Sequence, residues 1–372
     1  MNQINWQNIH RVLVIKFRHH GDVLLTTPVF NTIKNHYPHI QMDALVYSET
    51  APMLEGLPSL SELHCVDRQW KKQGFKFQVQ QELKLISTLK ERKYDLVIHL
   101  TEHWRGATLC RLLKPRYSIV AKYPNRQNKF WKNSFTHHYP RPHTLRHTVE
   151  KHLDALRHLN LFPVVPSDTK TSLAVSDSTM EEVNHLLQQH GVAEDKYILF
   201  HPTSRWLFKC WKETYAAELI DQLDDAGWTI LLTSGPDGKE QDMIARIKAL
   251  CKSTPVDLSG KTTLKQLGGF IGKSRLFVGM DSVPMHIAAA LQKPTVALFG
   301  PSGDKEWGPW QTESEVLVDD ISCRPCGLDG CGGSKVSNCL YAITPERTML
   351  AIQRVLARTE PSEPISLDHN LC

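Results

Sequence analysis

The segment 277–301 constrains the fold of this chain more than any other stretch. Two apolar runs, FVGM and TVALF, flank the alanine-rich stretch HIAAAL, and a short turn precedes that stretch. This order predicts a strand, a helix and a second, parallel strand. Asp281 and Ser282 favour a helix start, and Pro284 suits the first helical turn. The mouth of such a helix can bind a phosphate, although the same pattern also fits an ordinary crossover between strands.

Strand and helix patterns alternate along both halves of the chain. The first half contains RVLVIKF, QMDALVY and YDLVIHL between helical stretches, and the second contains YILFHPT, WTILLTSG and the segment above. We predict an α/β protein of GT-B type, with two Rossmann-like, doubly wound domains facing each other across a cleft. The predicted domains are 1–165 and 177–358, joined by a linker at 166–176. A polar tail at 359–372 is predicted to be disordered.

The composition is that of a globular protein, with 41% hydrophobic and 22% charged residues among 372. There is no apolar run of about 18 residues, as a membrane span requires, and the first ten residues lack the apolar stretch of a secretory signal. We therefore predict a cytoplasmic protein. Neither a G-x-G-x-x-G motif after the first strand nor a Walker lysine motif is present, so a nicotinamide site has little support.

A basic segment, residues 103–149, contains no Asp or Glu. Its cations include Arg126 and Lys129, and aromatic residues such as Trp131 alternate with them. This pattern predicts a positive face that binds an anionic membrane surface, a phosphorylated glycolipid or nucleic acid. A solvated basic loop is the alternative.

The loop after the first strand, FRHHGDVLLTTP, supplies candidates for the first domain. Asp22 follows a glycine at the carboxyl edge of the sheet, where a carboxylate could remove a proton from an acceptor hydroxyl. An N-cap role explains Asp22 equally well. Gly21 permits a tight turn, and His19 and His20 are possible acceptor contacts.

The loop HPTSRWLFKCW supplies the corresponding candidates for the second domain. Arg205 or Lys209 could neutralise a leaving phosphate, beside the hydroxyls of Thr203 and Ser204. Surface cations without a ligand are the alternative. After the next strand, Glu240 could accept hydrogen bonds from ribose or sugar hydroxyls, and Asp237 is a weaker candidate for the same role. The alternative is that these acids only stabilise the start of a helix through its dipole.

Four of the nine cysteines are close together in the sequence CRPCGLDGCGGSKVSNC. Cys323, Cys326, Cys331 and Cys339 could hold a structural zinc ion. Their spacing is not that of a standard zinc ribbon, so packed or redox-labile thiols are the alternative.

Four blocks taken together, IKFRHHGDVLLTTPV, HPTSRWLFKCW, LTSGPD and GMDSVPMHIAAALQKPTVALFGP, resemble the lipopolysaccharide heptosyltransferases, the ADP-heptose-using glycosyltransferases of Gram-negative bacteria. The resemblance spans both halves of the chain. The variants RHHGDVLLTTP and FKCW are most similar to members that add a third, branching heptose to the second heptose of the inner core.

This resemblance implies an inverting transfer that needs no metal cofactor, with the acceptor on the first domain and ADP-heptose on the second. It makes Asp22 the general base and Lys209 the contact to the donor diphosphate. Asp281, Ser282 and His286 fall in its donor motif, and Glu240 corresponds loosely to its ribose-binding acid.

The resemblance also gives the basic segment a partner. Inner-core lipopolysaccharide is anionic and anchored in the membrane, so we expect peripheral binding at the cytoplasmic face of the inner membrane, with Arg126, Lys129 and Trp131 near the acceptor, and no nucleic acid. Two alternatives stay open. One is the same fold with another donor or acceptor, and the other is a noncatalytic nucleotide-sugar or nucleic-acid binding protein.

Overall fold

The computed structural model describes residues 4–141 and 145–360. The predicted disordered tail therefore lies almost wholly outside the described residues. Within them the chain forms two six-stranded sheets, each flanked by helices. All strand pairs in both sheets are parallel, as the alternating pattern predicts.

The first sheet has the strand order β3-β2-β1-β4-β5-β6. Its central strand β1 is buried over four of five residues, because parallel strands are covered on both faces. Val14 of β1 lies opposite Ala44 of β2 and Ile98 of β4. Its strands are β1 Arg11–Ile15, β2 Gln41–Tyr47, β3 Glu62–Val66, β4 Leu96–His99, β5 Tyr117–Ala121 and β6 His137–Tyr139. The helices up to the second sheet are α1 His20–Leu24, α2 Thr27–His36, α3 Phe75–Glu91, α4 Trp104–Leu113, α5 Lys129–Lys132, α6 Thr148–His158, α7 Pro166–Thr169 and α8 Asp177–Gln189.

The second sheet has the order β12-β11-β10-β7-β8-β9, so its first strand takes the same central place as β1 does in the first sheet. Its strands are β7 Tyr197–His201, β8 Thr229–Leu232, β9 Val256–Asp257, β10 Leu276–Met280, β11 Thr295–Phe299 and β12 Ser314–Val318. Its helices are α9 Glu213–Asp225, α10 Gly238–Leu250, α11 Leu264–Lys273, α12 Val283–Ala290, α13 Asp304–Trp307, α14 Asn338–Tyr341 and α15 Pro345–Arg358.

The segment 277–301 folds as predicted. Strands β10 and β11 pair in parallel, and the residues of α12 from Pro284 to Ala290 are all buried. Ser282 is the N-cap of α12, although its side chain makes no capping hydrogen bond. The loops after β1 and β7 both lie where the strand order reverses, which is the usual ligand position in doubly wound sheets.

The predicted linker is more structured than its polar sequence indicates. Its first residues form α7, which packs against α2. Asp168 is fully buried there and accepts hydrogen bonds from Asn35 Nδ2 at 2.8 Å, His36 Nε2 at 3.0 Å and the Val164 N–H at 2.8 Å. Burial would raise the pKa of Asp168, but these hydrogen bonds lower it. The carboxylate therefore fixes the start of the linker to the first sheet's helices.

Candidate active site between the two sheets

Asp22 lies in the first turn of α1, immediately beyond the central strand of the first sheet. His19 is the N-cap of this helix, so Asp22 does not have the capping role that its sequence position also allowed. Its carboxylate instead forms an ion pair with Lys16, with Nζ and Oδ1 3.5 Å apart. The acid is thus held at the carboxyl edge of the sheet, where a base would act.

Lys16 is a buried residue that sequence reasoning missed. Its ammonium group donates to the carbonyl oxygen of Leu100 at 3.2 Å and contacts His152 Nε2 at 2.9 Å. His152 Nδ1 lies 2.9 Å from the carbonyl oxygen of Leu25 and donates to it, so Nε2 accepts from the lysine. Burial is the main cause that lowers the pKa of Lys16, while Asp22 opposes that shift. The signal in the sequence was a lysine inside an apolar strand motif, IKF.

The second sheet supplies a second ion pair. Lys209 follows β7, and its Nζ lies 2.5 Å from Asp281 Oδ2 in the turn before α12. Asp281 therefore pairs with the lysine rather than capping the helix. This brings the two separate motifs of the second half, HPTSRWLFKCW and GMDSVPMH, to one place.

Glu240 lies at the same edge of the sheet, in the helix that follows β8. It is buried in the first turn of α10 and accepts hydrogen bonds from Thr203 Oγ1 at 2.7 Å and the Gly235 N–H at 3.2 Å. A Cβ at Gly235 would lie 2.5 Å from Glu240 Oε1, so a larger residue here would displace this carboxylate from its position. Asp237 is only the N-cap of α10.

Two further predicted donor residues lie in the same loop as Thr203. Ser204 is buried, and its N–H donates to the Cys210 sulfur at 3.2 Å. Arg205 is exposed and lies over the ring of Trp206. Thr203 and Ser204 therefore belong to the packed wall of the site, whereas Arg205 is available to a ligand.

The two sheet edges meet at Gly21 and His286. A Cβ on Gly21 would lie 2.8 Å from His286 Cδ2, so glycine permits the close approach of α1 to α12. Burial lowers the pKa of His286, and both Asp281 and Asp22 act in the opposite direction. Its Nδ1 has no hydrogen-bond partner within 4–141 and 145–360. His286 is therefore close enough to Asp22 of the first domain and to the Lys209–Asp281 pair of the second for both to affect its pKa.

The predicted acceptor residues are spread more widely. His19 is exposed at the start of α1, and His20 Nε2 donates to the Glu49 carbonyl at 2.6 Å. Lys129 is exposed on α5. Arg126 donates to the carbonyl oxygen of Glu102 at 2.9 Å and lies over the Trp104 ring.

The predicted surface position of Trp131 is wrong. Its side chain is 1% exposed and packs against His99, Trp104 and Phe135. Phe135, four residues further along, is buried as well, whereas Phe130 is exposed. Interleaved aromatics and lysines also arise when one face of a short helix enters a core, and this ambiguity misled the prediction.

A cavity of about 130 Å³ lies next to Asp22. Its wall includes Lys16, Arg18 and Glu102 from the first unit and Trp307 from the second. Arg18 had not been singled out from the sequence, although it lies in the same loop as Asp22. The cavity therefore extends the site away from the donor-side ion pair.

The cysteine loop does not form a zinc site as it stands. Cys339 is buried, whereas Cys323, Cys326 and Cys331 are exposed. In the described parts of the chain, the only group of three potential ligand atoms within 4.8 Å of one another is Asp43, Glu62 and His64. Zinc would need all four sulfurs at about 2.3 Å, so the thiols do not fit the metal in this arrangement.

Comparison with known proteins decides the family. The chain matches the family described as glycosyltransferase family 9 (heptosyltransferase) over residues 82–336. It is 37% identical over 294 residues to lipopolysaccharide heptosyltransferase 3 of Escherichia coli K12, covering 79% of this chain and 83% of that protein. The chain belongs to glycosyltransferase family 9. The predicted resemblance is thereby confirmed, and this protein is a glycosyltransferase.

Solved structures agree on the fold of this glycosyltransferase. The family 9 glycosyltransferase from Veillonella parvula superposes with a TM-score of 0.80 at 21% identity, covering 94% of this chain and 98% of that one. The E. coli heptosyltransferase WaaC with ADP-2-deoxy-2-fluoro heptose superposes with a TM-score of 0.67 at 20% identity, covering 92% and 99%. The fold is GT-B, as predicted.

Proposed function

We infer that this glycosyltransferase transfers heptose from ADP-L-glycero-D-manno-heptose to the second heptose of the lipopolysaccharide inner core, with inversion at the anomeric carbon. The observation that carries this inference is the close approach of α1, which carries Asp22, to α12, whose preceding turn carries Asp281 of the Lys209–Asp281 pair. A base and a cation brought together from the two sheets suit a displacement between two substrates. The 37% identity to heptosyltransferase 3 favours this acceptor.

The proposed step is a single in-line displacement. Asp22 removes the proton of the acceptor hydroxyl as its oxygen attacks the anomeric carbon. The bond from that carbon to the ADP oxygen breaks, and ADP leaves with the electron pair. Lys209 then stabilises the negative charge that develops on the diphosphate.

The donor is assigned to the second sheet. The Glu240 carboxylate there would accept hydrogen bonds from ribose hydroxyls in place of the one from Thr203 Oγ1. The N-terminus of α12 would direct its unpaired N–H groups at a phosphate. The fold neighbour WaaC was solved with an ADP-heptose analogue, which supports the same donor class.

We assign the protein a peripheral position on the cytoplasmic face of the inner membrane. Among the described residues, no helix is long and apolar enough to cross a membrane. Phe130 and Trp104 are exposed, with Arg111 and Arg126 stacked over their rings at 4.4 and 4.9 Å. Cations beside exposed aromatics suit an anionic bilayer surface.

Vesicle sedimentation tests this peripheral position. We expect more of the protein to sediment with phosphatidylglycerol vesicles than with phosphatidylcholine vesicles. Equal binding to both would contradict the assignment.

Mass spectrometry of the product tests the reaction. Inner-core lipopolysaccharide ending in two heptoses is incubated with the protein and ADP-heptose, and a gain of one heptose is expected. A parallel acceptor ending in one heptose tests the alternative acceptor. Heptose gained only by that second acceptor would keep the donor and overturn the assignment of the acceptor.

A further inference from the structure

The cavity beside Asp22 contains charges that the donor chemistry does not use. It lies beyond the carboxyl ends of β1, β4, β5 and β6, and α13 of the second unit closes one side. Asp22 is part of its wall, so a molecule inside it would present a hydroxyl to the proposed base. The residues of this wall would therefore contact the acceptor.

Most charged side chains of this wall are already paired. Lys16 pairs with Asp22, and Lys151 pairs with Glu306 across the two units. Asp154 accepts from Arg146 and Arg157, which lie outside the wall. These pairs leave the wall close to neutral before its remaining charges are counted.

Two guanidinium groups and one carboxylate are left over. Arg18 and Arg141 are exposed, and within the described ranges neither makes a salt bridge. Glu102 is the remaining acid. Arg141 lies over the ring of Tyr123, with 5.5 Å from Cζ to the ring centroid. The unpaired charge of the wall is thus positive.

Both guanidinium groups affect the pKa values of the same two residues of the cavity wall, Lys16 and Tyr123. Burial is the main cause that lowers the pKa of Lys16, and Arg18 and Arg141 lower it further. Burial raises the pKa of Tyr123 to about 12, and the same two arginines oppose that shift. The two arginines therefore place positive charge in the part of the cavity that contains Lys16 and Tyr123.

We propose that this cavity is an acceptor subsite in which Arg18 and Arg141 bind an anionic substituent of the acceptor sugar, while Glu102 accepts from its hydroxyls. A guanidinium binds a phosphate or a carboxylate through two parallel hydrogen bonds, so two of them would fix the orientation of the sugar. The proposal rests on the proposed function. It adds that the negative charge of the acceptor is a requirement for positioning and not only for attraction to the membrane.

Three acceptor preparations test the subsite with the full-length enzyme. One is intact inner-core oligosaccharide, one is treated with phosphatase, and one has its carboxylates methyl-esterified. Binding and steady-state kinetics are measured for wild type, Arg18→Gln, Arg141→Gln and the double variant. Arg116→Gln is the matched control, because Arg116 is exposed at the opposite edge of the sheet, before β5. Thermal unfolding confirms that each variant is folded.

Each single variant is expected to raise the Kd and KM of the intact acceptor about tenfold, with kcat for saturating acceptor much less affected. Wild type should lose at least this factor on one of the two modified acceptors, and on that acceptor the variants should bind no more weakly than wild type does. Loss with phosphatase treatment identifies a phosphate, and loss with esterification identifies a carboxylate.

Equal losses by the variants on all three acceptors, or none on any, would overturn the subsite. The binding arm needs no turnover, so it separates two kinds of failure. Charge-dependent binding without heptose transfer would contradict the proposed function alone. Transfer that ignores the charge of the acceptor would contradict the subsite alone.

Discussion

Each sheet places a lysine–aspartate ion pair beyond the carboxyl ends of its central strands, but the two pairs are buried in opposite ways. In the first pair the lysine is buried, with 7% exposure of the Lys16 side chain against 17% for Asp22. In the second pair the acid is buried, with 7% for Asp281 against 23% for Lys209. The more exposed partner is therefore the acid in the first pair and the lysine in the second.

This inversion separates the chemical tasks of the two units. In the proposed mechanism, Lys16 positions the acid that takes the acceptor proton, and Asp281 positions the cation that stabilises the diphosphate. The Lys16–Asp22 contact is long, at 3.5 Å, whereas Lys209 Nζ lies 2.5 Å from Asp281 Oδ2 and would exchange this partner for the donor. The proposal thus gives the two sheets, which share one strand order, different tasks.

Replacing Asp22 by Asn tests the first pair and should have the largest effect. We expect kcat to fall by about 10²–10⁴-fold, since the amide cannot accept the acceptor proton, while the Kd of ADP-heptose stays unchanged. Single-turnover kinetics and donor calorimetry measure the two quantities. A similar loss of both would show that Asp22 supports the cleft and is not the base.

Replacing Lys209 by Met tests the second pair. We expect kcat/KM for ADP-heptose to fall by about 10²-fold, because the charge on the leaving diphosphate loses its partner. Lys209→Arg should restore part of the activity, since it keeps the charge. Unchanged kinetics in Lys209→Met would remove this lysine from the mechanism.

Replacing Lys16 by Met tests whether the fixed partner positions the base. The change leaves the Leu100 carbonyl and His152 Nε2 without their donor, so unfolding free energy should fall by about 1–3 kcal/mol, and kcat should fall with it. Lys34→Met is the control, because Lys34 also donates to two carbonyls, of Pro38 and Ile40, but lies away from the site. The same loss of stability with the same loss of kcat in both variants would contradict a positioning role.

Replacing Gly21 by Ala tests the contact between the two walls and should have the smallest effect. The new methyl would clash with His286, so we expect a loss of about 1–3 kcal/mol in stability. Gly238→Ala, at the first position of α10, meets nothing within 4 Å and should not destabilise. Equal unfolding temperatures for the two variants would show that α1 and α12 separate easily.

Much of the candidate site was predictable because strand ends of a parallel sheet share one edge. Asp22, Lys209, Asp281 and Glu240 each follow a strand recognisable from its apolar pattern, and all four reach the predicted edge. It was not predictable that Asp22 and Asp281 form ion pairs with lysines instead of capping helices. An Asp in the first turn of a helix has the same local sequence whether its carboxylate meets a backbone N–H or a distant lysine.

By itself, the sequence of this glycosyltransferase determined the two α/β units, the edge where ligands bind and the family, because these depend on local periodicity and short motifs. Only the tertiary structure decided that Lys16 is held by His152, 136 residues away, that Trp131 is core, and that Gly21 meets His286. Those contacts join residues far apart in the chain. Their energies depend on burial and distance, which no local pattern encodes.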